Sequence, residues 1–511
     1  MFCCFSVDAE SENSTVDLTE SEQNSLSDQL KLQLINGRHD GPARVRSQRL
    51  PTDAFHSPSF NPSMDTVPNS SSNNNADHSR TLVAGLQRFS VNLLRSLHNF
   101  ETREQSAGLL FSPFSVWGTM VVTLAGARGH SEQELLQALG LKGVPRANIL
   151  LAYQGLRFWY ELKYRSGGGL GSTSNQTQAR WQRVRSQLLR PGLGGLSAAN
   201  AKQLVEALTA NNGSMSGNGL FATANRLFFN SNLRLSRTVR ENFGDELHSL
   251  DFVNQPEISR LKINSWIEQQ THSKIKDLLA PGCINSFTNI VITNAIYFQQ
   301  KWLNLFEKEK TIDGPFQVNP TEEMTVKYMR NTANYMFGVS ETLKCSVLEL
   351  PYSNQDFSML IVLPDVQLGI DGLIKQLRSD AFDNLLATMY DDEIQVQLPR
   401  FKFEQEFELA GPLYSMGVRR MFDPRYSDFS GFLEGSETAT NNSNNNQNNR
   451  RASNVTVSAD DSLNDLHSDL SGRQGEQRVI INSVVHKAYI AVNEEGTEAA
   501  AASAMLIARS G

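Results

Sequence analysis

The segment that most restricts the fold is the last one. A β-branched and aromatic run, Val484-Val485-His486-Lys487-Ala488-Tyr489-Ile490-Ala491-Val492, leads directly into Glu494-Glu495-Gly496-Thr497-Glu498. Ala499, Ala500, Ala501, Ala502 and Ser503 follow, and the chain closes on Met505-Leu506-Ile507-Ala508-Arg509-Ser510-Gly511. Alanine propensity alone favours a short helix here. The flanks oppose it, because a strand-like run enters with neither an N-cap nor an apolar helical face. Side chains alternate between the faces of a strand. With Thr497 inward, Ala499, Ala501, Ser503, Met505 and Ile507 are inward too, and Glu498 and Ala500 face out. No Arg or Lys occupies any of these inward positions from Thr497 to Ile507, where burial of an unpaired charge is costly.

This stretch, behind a strand carrying His486-Lys487-Ala488, resembles the hinge and reactive loop of the serpins, the serine protease inhibitor superfamily. The resemblance implies an α+β fold with a large mixed β-sheet, additional sheets, about eight or nine helices and an exposed reactive loop. It also implies a metastable state, in which a protease cuts the loop and the loop inserts as a new central strand. The implied activity is irreversible suicide-substrate inhibition of a trypsin-like serine endopeptidase. Arg509-Ser510 is the expected scissile pair, since a trypsin-like pocket presents a carboxylate to a basic side chain. The family's commonest hinge-to-scissile spacing instead places the cut after Ser510, which suits an elastase-like protease. Non-inhibitory members (carriers, storage proteins or chaperones) tend to lose the small hinge residues that Thr497 to Ser503 retain. The resemblance further implies that the chain is C-terminally truncated at the reactive loop, lacking the strands that follow it in the family.

Composition is consistent with one large domain at the C-terminal side. The chain has 511 residues, 39% of them hydrophobic, and the apolar patterning is concentrated between 81 and 511. Residues 1–80 are rich in Ser, Asn, Asp and Pro and read as a disordered leader. Met1-Phe2-Cys3-Cys4-Phe5 turns polar at once, unlike a signal peptide, so an extracellular location rests on the resemblance alone. Four cysteines are too few and too scattered for a disulfide scaffold or a zinc site. A formal charge of -7 gives no case for nucleic-acid binding, and no stretch is long enough to span a membrane. We expect a monomer without cofactor or metal.

From Leu82 a helical period places Leu86, Phe89, Leu93, Leu97 and Phe100 on one face. Leu109 to Ser115 reads as a short strand stopped by Pro113, then Val116 to Ala127 as a buried helix. Ser131-Glu132-Gln133-Glu134 has capping-box spacing for the next helix, ended by Gly140, and Asn254 is placed to cap a helix beginning near Pro256. Ile290 to Phe298, Val347 to Tyr352, Phe357 to Pro364 and Ile394 to Leu398 read as strands. Two tracts, 166–218 and 433–475, cannot pack a core and read as disordered insertions. Around and within the first, Arg157, Lys163, Arg165, Arg180, Arg183, Arg185 and Arg190 gather; this reads as a solvated basic loop, or, as the resemblance to the serpins implies, a site for a heparin-like polyanion.

The resemblance assigns four residues to the region under the main sheet called the shutter: Ser112, Ser115, Asn294 and His486. On residue type alone the serines are an N-cap and a packing group, and Asn294 a satisfied core amide. It places Trp302 and Arg400 at the breach, where the loop first enters, with Arg400 pairing the hinge residue Glu494. No zinc-protease helix, phosphate-binding loop or nucleophile elbow is present, so the chain is read as an inhibitor, with the protease supplying the catalytic groups.

Overall fold

In a computed structural model, residues 2–4, 78–101, 108–160, 220–319, 322–354, 357–434 and 479–497 are described. After β1 (Phe2–Cys4) come α1 (His78–Glu101), β2 (Leu109–Phe111), α2 (Pro113–Gly126), α3 (Gly129–Ala138) and α4 (Arg146–Tyr160). Next are β3 (Leu220–Asn230), α5 (Arg237–Phe243), β4 (Leu247–Leu250), α6 (Pro256–Gln270) and β5 (Ile290–Lys301). Then follow β6 (Ile312–Asn319), β7 (Glu322–Ser340), β8 (Cys345–Pro351), β9 (Ser358–Pro364), α7 (Gly369–Gln376) and α8 (Ala381–Ala387). The chain continues through β10 (Tyr390–Pro399), β11 (Phe401–Glu408), α9 (Ala410–Ser415), β12 (Ile481–Asn493) and β13 (Gly496–Thr497).

Two sheets carry the molecule. One has the order β11-β12-β13-β5-β3-β4, and the other is β10-β7-β8-β9 with β6 also paired to β7. The architecture is α+β, a large mixed sheet with further sheets and nine α-helices among the described residues. β5 and β12 run parallel in the middle of the larger sheet and are buried along most of their length, as expected of central strands covered on both faces. One face is covered by α1 and α2: Phe89, Leu93, Leu97, Val121 and Leu124 are fully buried in the same core as Ile292 and Val484. The other is covered by α6, whose Ile263 and Ile267 pack with Ala295, Val485 and Tyr489.

Several local expectations are corrected. The strand at Leu109 ends at Phe111, because Ser112 caps α2 and Pro113 opens it, where a missing N–H costs nothing. Ser131 does not cap α3: Arg128 holds that position without a side-chain bond, and Ser131 Oγ accepts from the Asp428 amide. Asn254 does not cap α6 either; Gln255 precedes the helix, and Asn254 donates to the Asp251 carboxylate. The expected leader and both insertions fall outside the described residues except at 2–4, 78–80 and 433–434; β1 pairs antiparallel with β2.

Candidate functional site at the split between two central strands

β12 and β5 are paired in parallel from Ile481 opposite Ile290 to Ala488 opposite Ile296. Beyond Ala488 they part, and β13 lies between them at the far end. Its Gly496 and Thr497 pair with Asn493 and Val492 of β12 on one side and with Lys301 and Gln300 of β5 on the other. The hinge is therefore already the first two residues of a strand between its neighbours. Thr497 is inward as its parity requires, 1% exposed, with its hydroxyl 2.7 Å from that of Tyr352.

The turn into β13 is built by Asn493, whose Oδ1 accepts from the amides of Glu495 (3.0 Å) and Gly496 (3.2 Å). This is the local side-chain bond that favours Asn in turns. Gly496 has φ +155°, and a Cβ there would sit 2.1 Å from the Gln300 carbonyl oxygen, so only glycine fits. Trp302 clamps the turn. Its indole Nε1 donates to the Asn493 carbonyl (2.9 Å), its amide donates to the Glu495 carbonyl (3.0 Å), and its ring stacks on Tyr352 at 4.6 Å and 10°.

Glu494 is 3% exposed, and its carboxylate accepts from the Thr311 hydroxyl at 2.8 Å. The Arg400 guanidinium lies 3.5 Å away with a side chain 45% exposed. The expected pair exists, but Arg400 is its weaker half, and Thr311 makes the closer contact. Glu495 pairs outward with Lys308 at 2.8 Å, and that hydrogen bond raises the Lys308 pKa.

Lower in the sheet, a buried polar cluster joins β5 and β12 to α2. His486 Nε2 accepts from the Ser112 amide at 3.0 Å. The proton therefore sits on Nδ1, which donates to Asn294 Oδ1 at 2.5 Å. Asn294 Nδ2 in turn donates to Thr119 Oγ1 (3.0 Å) and Asn225 Oδ1 (2.9 Å), and Ser115 Oγ donates to Asn225 Oδ1 (2.7 Å). Ser112 Oγ accepts from the Ser115 amide as the N-cap of α2. Complete burial pushes the His486 pKa down to about 3, so the ring is neutral.

The structure thus gathers the predicted residues into two groups on the same strand pair. Ser112, Ser115, Asn294 and His486 form the buried cluster, and Trp302, Arg400, Glu494, Glu495, Gly496 and Thr497 surround the hinge. Glu498, Ala499, Ala500, Ala501, Ala502, Ser503, Arg509 and Ser510 lie outside the described residues. Sequence reasoning missed Thr119, Asn225, Thr311, Tyr352 and Asn493. Thr119 was within reach, standing one helical turn after Ser115 on α2. Asn225 was not, because only the antiparallel register of β3 and β5 brings it opposite Asn294. Of the basic run, Arg157 is engaged by Asp245 (3.5 Å) and by buried Glu246, and the others are outside the described residues.

A short strand, β13, seated between two long parallel strands, above a buried His–Asn contact that joins them, defines a protein whose central sheet is split at one end by a segment of its own chain. Comparison with known proteins supplies the family. Residues 84–511 match the family model described as serpin (serine protease inhibitor). A leukocyte elastase inhibitor of Bos taurus is 31% identical over 440 residues, covering 83% of this chain and 88% of that protein. Iripin-2 of Ixodes ricinus is 29% identical over 432 residues, covering 84% and 85%. Among solved structures, human thyroxine-binding globulin superposes with a TM-score of 0.58 at 20% identity, over 82% of this chain and 87% of that one. Ovalbumin from the emu, Dromaius novaehollandiae, does so at 0.54 and 19% identity, over 82% and 87%; both show the fold. The chain belongs to the serpin family.

Proposed function

We propose that the protein is an irreversible inhibitor of a serine endopeptidase, working by insertion of its own cleaved loop. The observation that carries this reading is β13, in register with both neighbours and continuous with the small-residue segment that follows it. The protease serine Oγ attacks the loop carbonyl carbon, the peptide C–N bond breaks, the leaving amine takes the proton, and an acyl-enzyme ester forms. The loop, released at that end, extends β13 down the split. Burial of its apolar row and completion of backbone pairing on both sides drive the step, and the attached protease is drawn away before water reaches the ester.

Arg509-Ser510 is the bond we assign, with a trypsin-like enzyme as target, because a basic side chain fits a pocket bearing a carboxylate. Cleavage after Ser510 by an elastase-like enzyme is the second reading, favoured by relatives named leukocyte elastase inhibitor. Incubating the full chain with trypsin and, separately, with elastase tests both. An SDS-resistant complex with trypsin, and a product ending at Arg509, is expected. A complex with elastase alone moves the bond to Ser510, and simple cleavage by both defeats the inhibitory reading. We place its action outside the cell, on family precedent, with recovery from conditioned medium as the check.

A further inference from the structure

The parallel pairing of β5 and β12 ends at Ile296 opposite Ala488, so Tyr297 and Tyr489 are the first residues on either side of the split. Both are buried, and they share the parity of Ala295 and Val485, which turns their rings toward the face that α6 covers. The segment following α6 lies over this point. The His272 ring is 5.6 Å from that of Tyr297, Lys274 Nζ lies 5.8 Å over the ring of Tyr489, and Lys487 Nζ of β12 donates to the Lys276 carbonyl at 3.3 Å. Residues 271–277 therefore touch both strands at the apex of the split.

This segment is tied down at its ends and strained in between. Thr271 Oγ1 donates to the Ile267 carbonyl (2.8 Å) and accepts from the Ile275 amide (3.2 Å). Asn264 of α6 accepts from the Leu279 amide (2.8 Å) and donates to the Leu279 carbonyl (3.0 Å), and Ile275, Leu278 and Leu279 are fully buried. Between these anchors His272 (φ +51°), Ser273 (φ +61°) and Asp277 (φ +49°) are left-handed, and none is glycine. A Cβ makes that region unfavourable, and residues that visit it do so singly, whereas His272 and Ser273 are consecutive. Ser273 is exposed, so its conformation is imposed by the backbone path from α6 to the sheet rather than by packing of its side chain.

We propose that residues 271–277 are a strained clasp across the apex, holding β5 and β12 together where the split stops and lifting off with an opening equilibrium of its own. Contact with both strands opposes lengthening of the split, and the left-handed backbone stores strain that favours release. Under the insertion reading above, on which only this consequence rests, the loop advances past Ala488 once the clasp has lifted.

Native-state amide hydrogen exchange on the full chain, as wild type, Ser273→Gly, Ser273→Ala and Tyr489→Leu, tests the clasp. The Ile275 and Leu279 amides report it, since lifting breaks their bonds to Thr271 and Asn264. In wild type they should exchange faster than amides in the middle of β5. Ser273→Gly should slow them about 3- to 10-fold, while Ser273→Ala, which keeps the Cβ, stays within about 2-fold of wild type. Tyr489→Leu, which removes the ring beneath Lys274, should speed them about 3-fold. Equal exchange in the Gly and Ala variants, or clasp amides as slow as central β5 in wild type, overturns the proposal. Ser273→Gly should also shift the partition with trypsin about 2-fold from SDS-resistant complex toward cleaved product, and an unchanged partition despite slowed exchange removes the clasp from insertion. A wild type that forms no such complex with trypsin or elastase defeats the insertion reading alone, and exchange still decides the clasp.

Discussion

The hydroxyls of Thr497 and Tyr352 lie 2.7 Å apart, both residues buried, at the point where the hinge enters the sheet. Tyr352 also stacks on Trp302, whose indole holds the turn from which β13 starts. The start of β13 is thus held by a packed aromatic pair and one hydrogen bond. Tyr352→Phe keeps the stack and removes the bond. It should destabilise the intact protein by about 1 kcal/mol, read from urea denaturation.

Thr497→Arg places a long cation in a site 1% exposed to solvent. Burial of an unpaired charge opposes insertion at its first inward step. The variant should still be cut at the reactive bond, but as a plain substrate, with no SDS-resistant complex on a gel. Persistence of that complex would remove the inward assignment of Thr497.

Gly496→Ala meets backbone rather than a movable side chain, with the new Cβ 2.1 Å from the Gln300 oxygen and 2.7 Å from Lys301 Cα. β13 should be displaced at a cost of about 1–3 kcal/mol. Amide hydrogen exchange at Gly496 and Thr497 is the measurement, and faster exchange confined to the hinge is the expected result.

Around Glu494, burial ranks the partners. Thr311→Val removes the 2.8 Å bond from a carboxylate 3% exposed and should cost about 1–3 kcal/mol. Arg400→Ala removes a guanidinium at 3.5 Å whose side chain is 45% exposed, and solvent screening holds the loss below about 1 kcal/mol. Paired denaturation curves decide the order, and a larger loss in the arginine variant would reverse it.

Acid should weaken the fold through His486. Its pKa is about 3 in the folded chain and ordinarily 6.5, so between these values the unfolded chain holds more protons. Stability from this group is complete above about pH 6.5 and is lost as pH falls toward 3, with a slope of up to about 1.4 kcal/mol per pH unit. His486→Gln keeps a polar side chain without the titration. Its stability should fall less steeply than wild type over that window, and equal slopes would point to another group.

Much of this was legible in the residues, because it depends on neighbours along the chain. Alternation in the hinge gave the inward face of Thr497, and the continuous β-prone run Ile290 to Phe298 gave a strand buried on both sides. Where several local signals compete, sequence misled: Ser131 and Asn254 have the composition of caps, yet the amide of Asp428 and the carboxylate of Asp251 claim them.

What the chain order alone determined is the hinge's alphabet: uncharged side chains at every second position from Thr497 to Ile507, small ones first, which is a property of strand parity and needs no partner to be read. Only the tertiary structure decided where Thr497 docks, between Val492 of β12 and Gln300 of β5. His486 and Asn294 are 192 positions apart, and their contact follows from two parallel strands brought side by side by a crossover. Register between such strands is set by the packing of both sheet faces, by α2 on one and α6 on the other, and no local pattern encodes it.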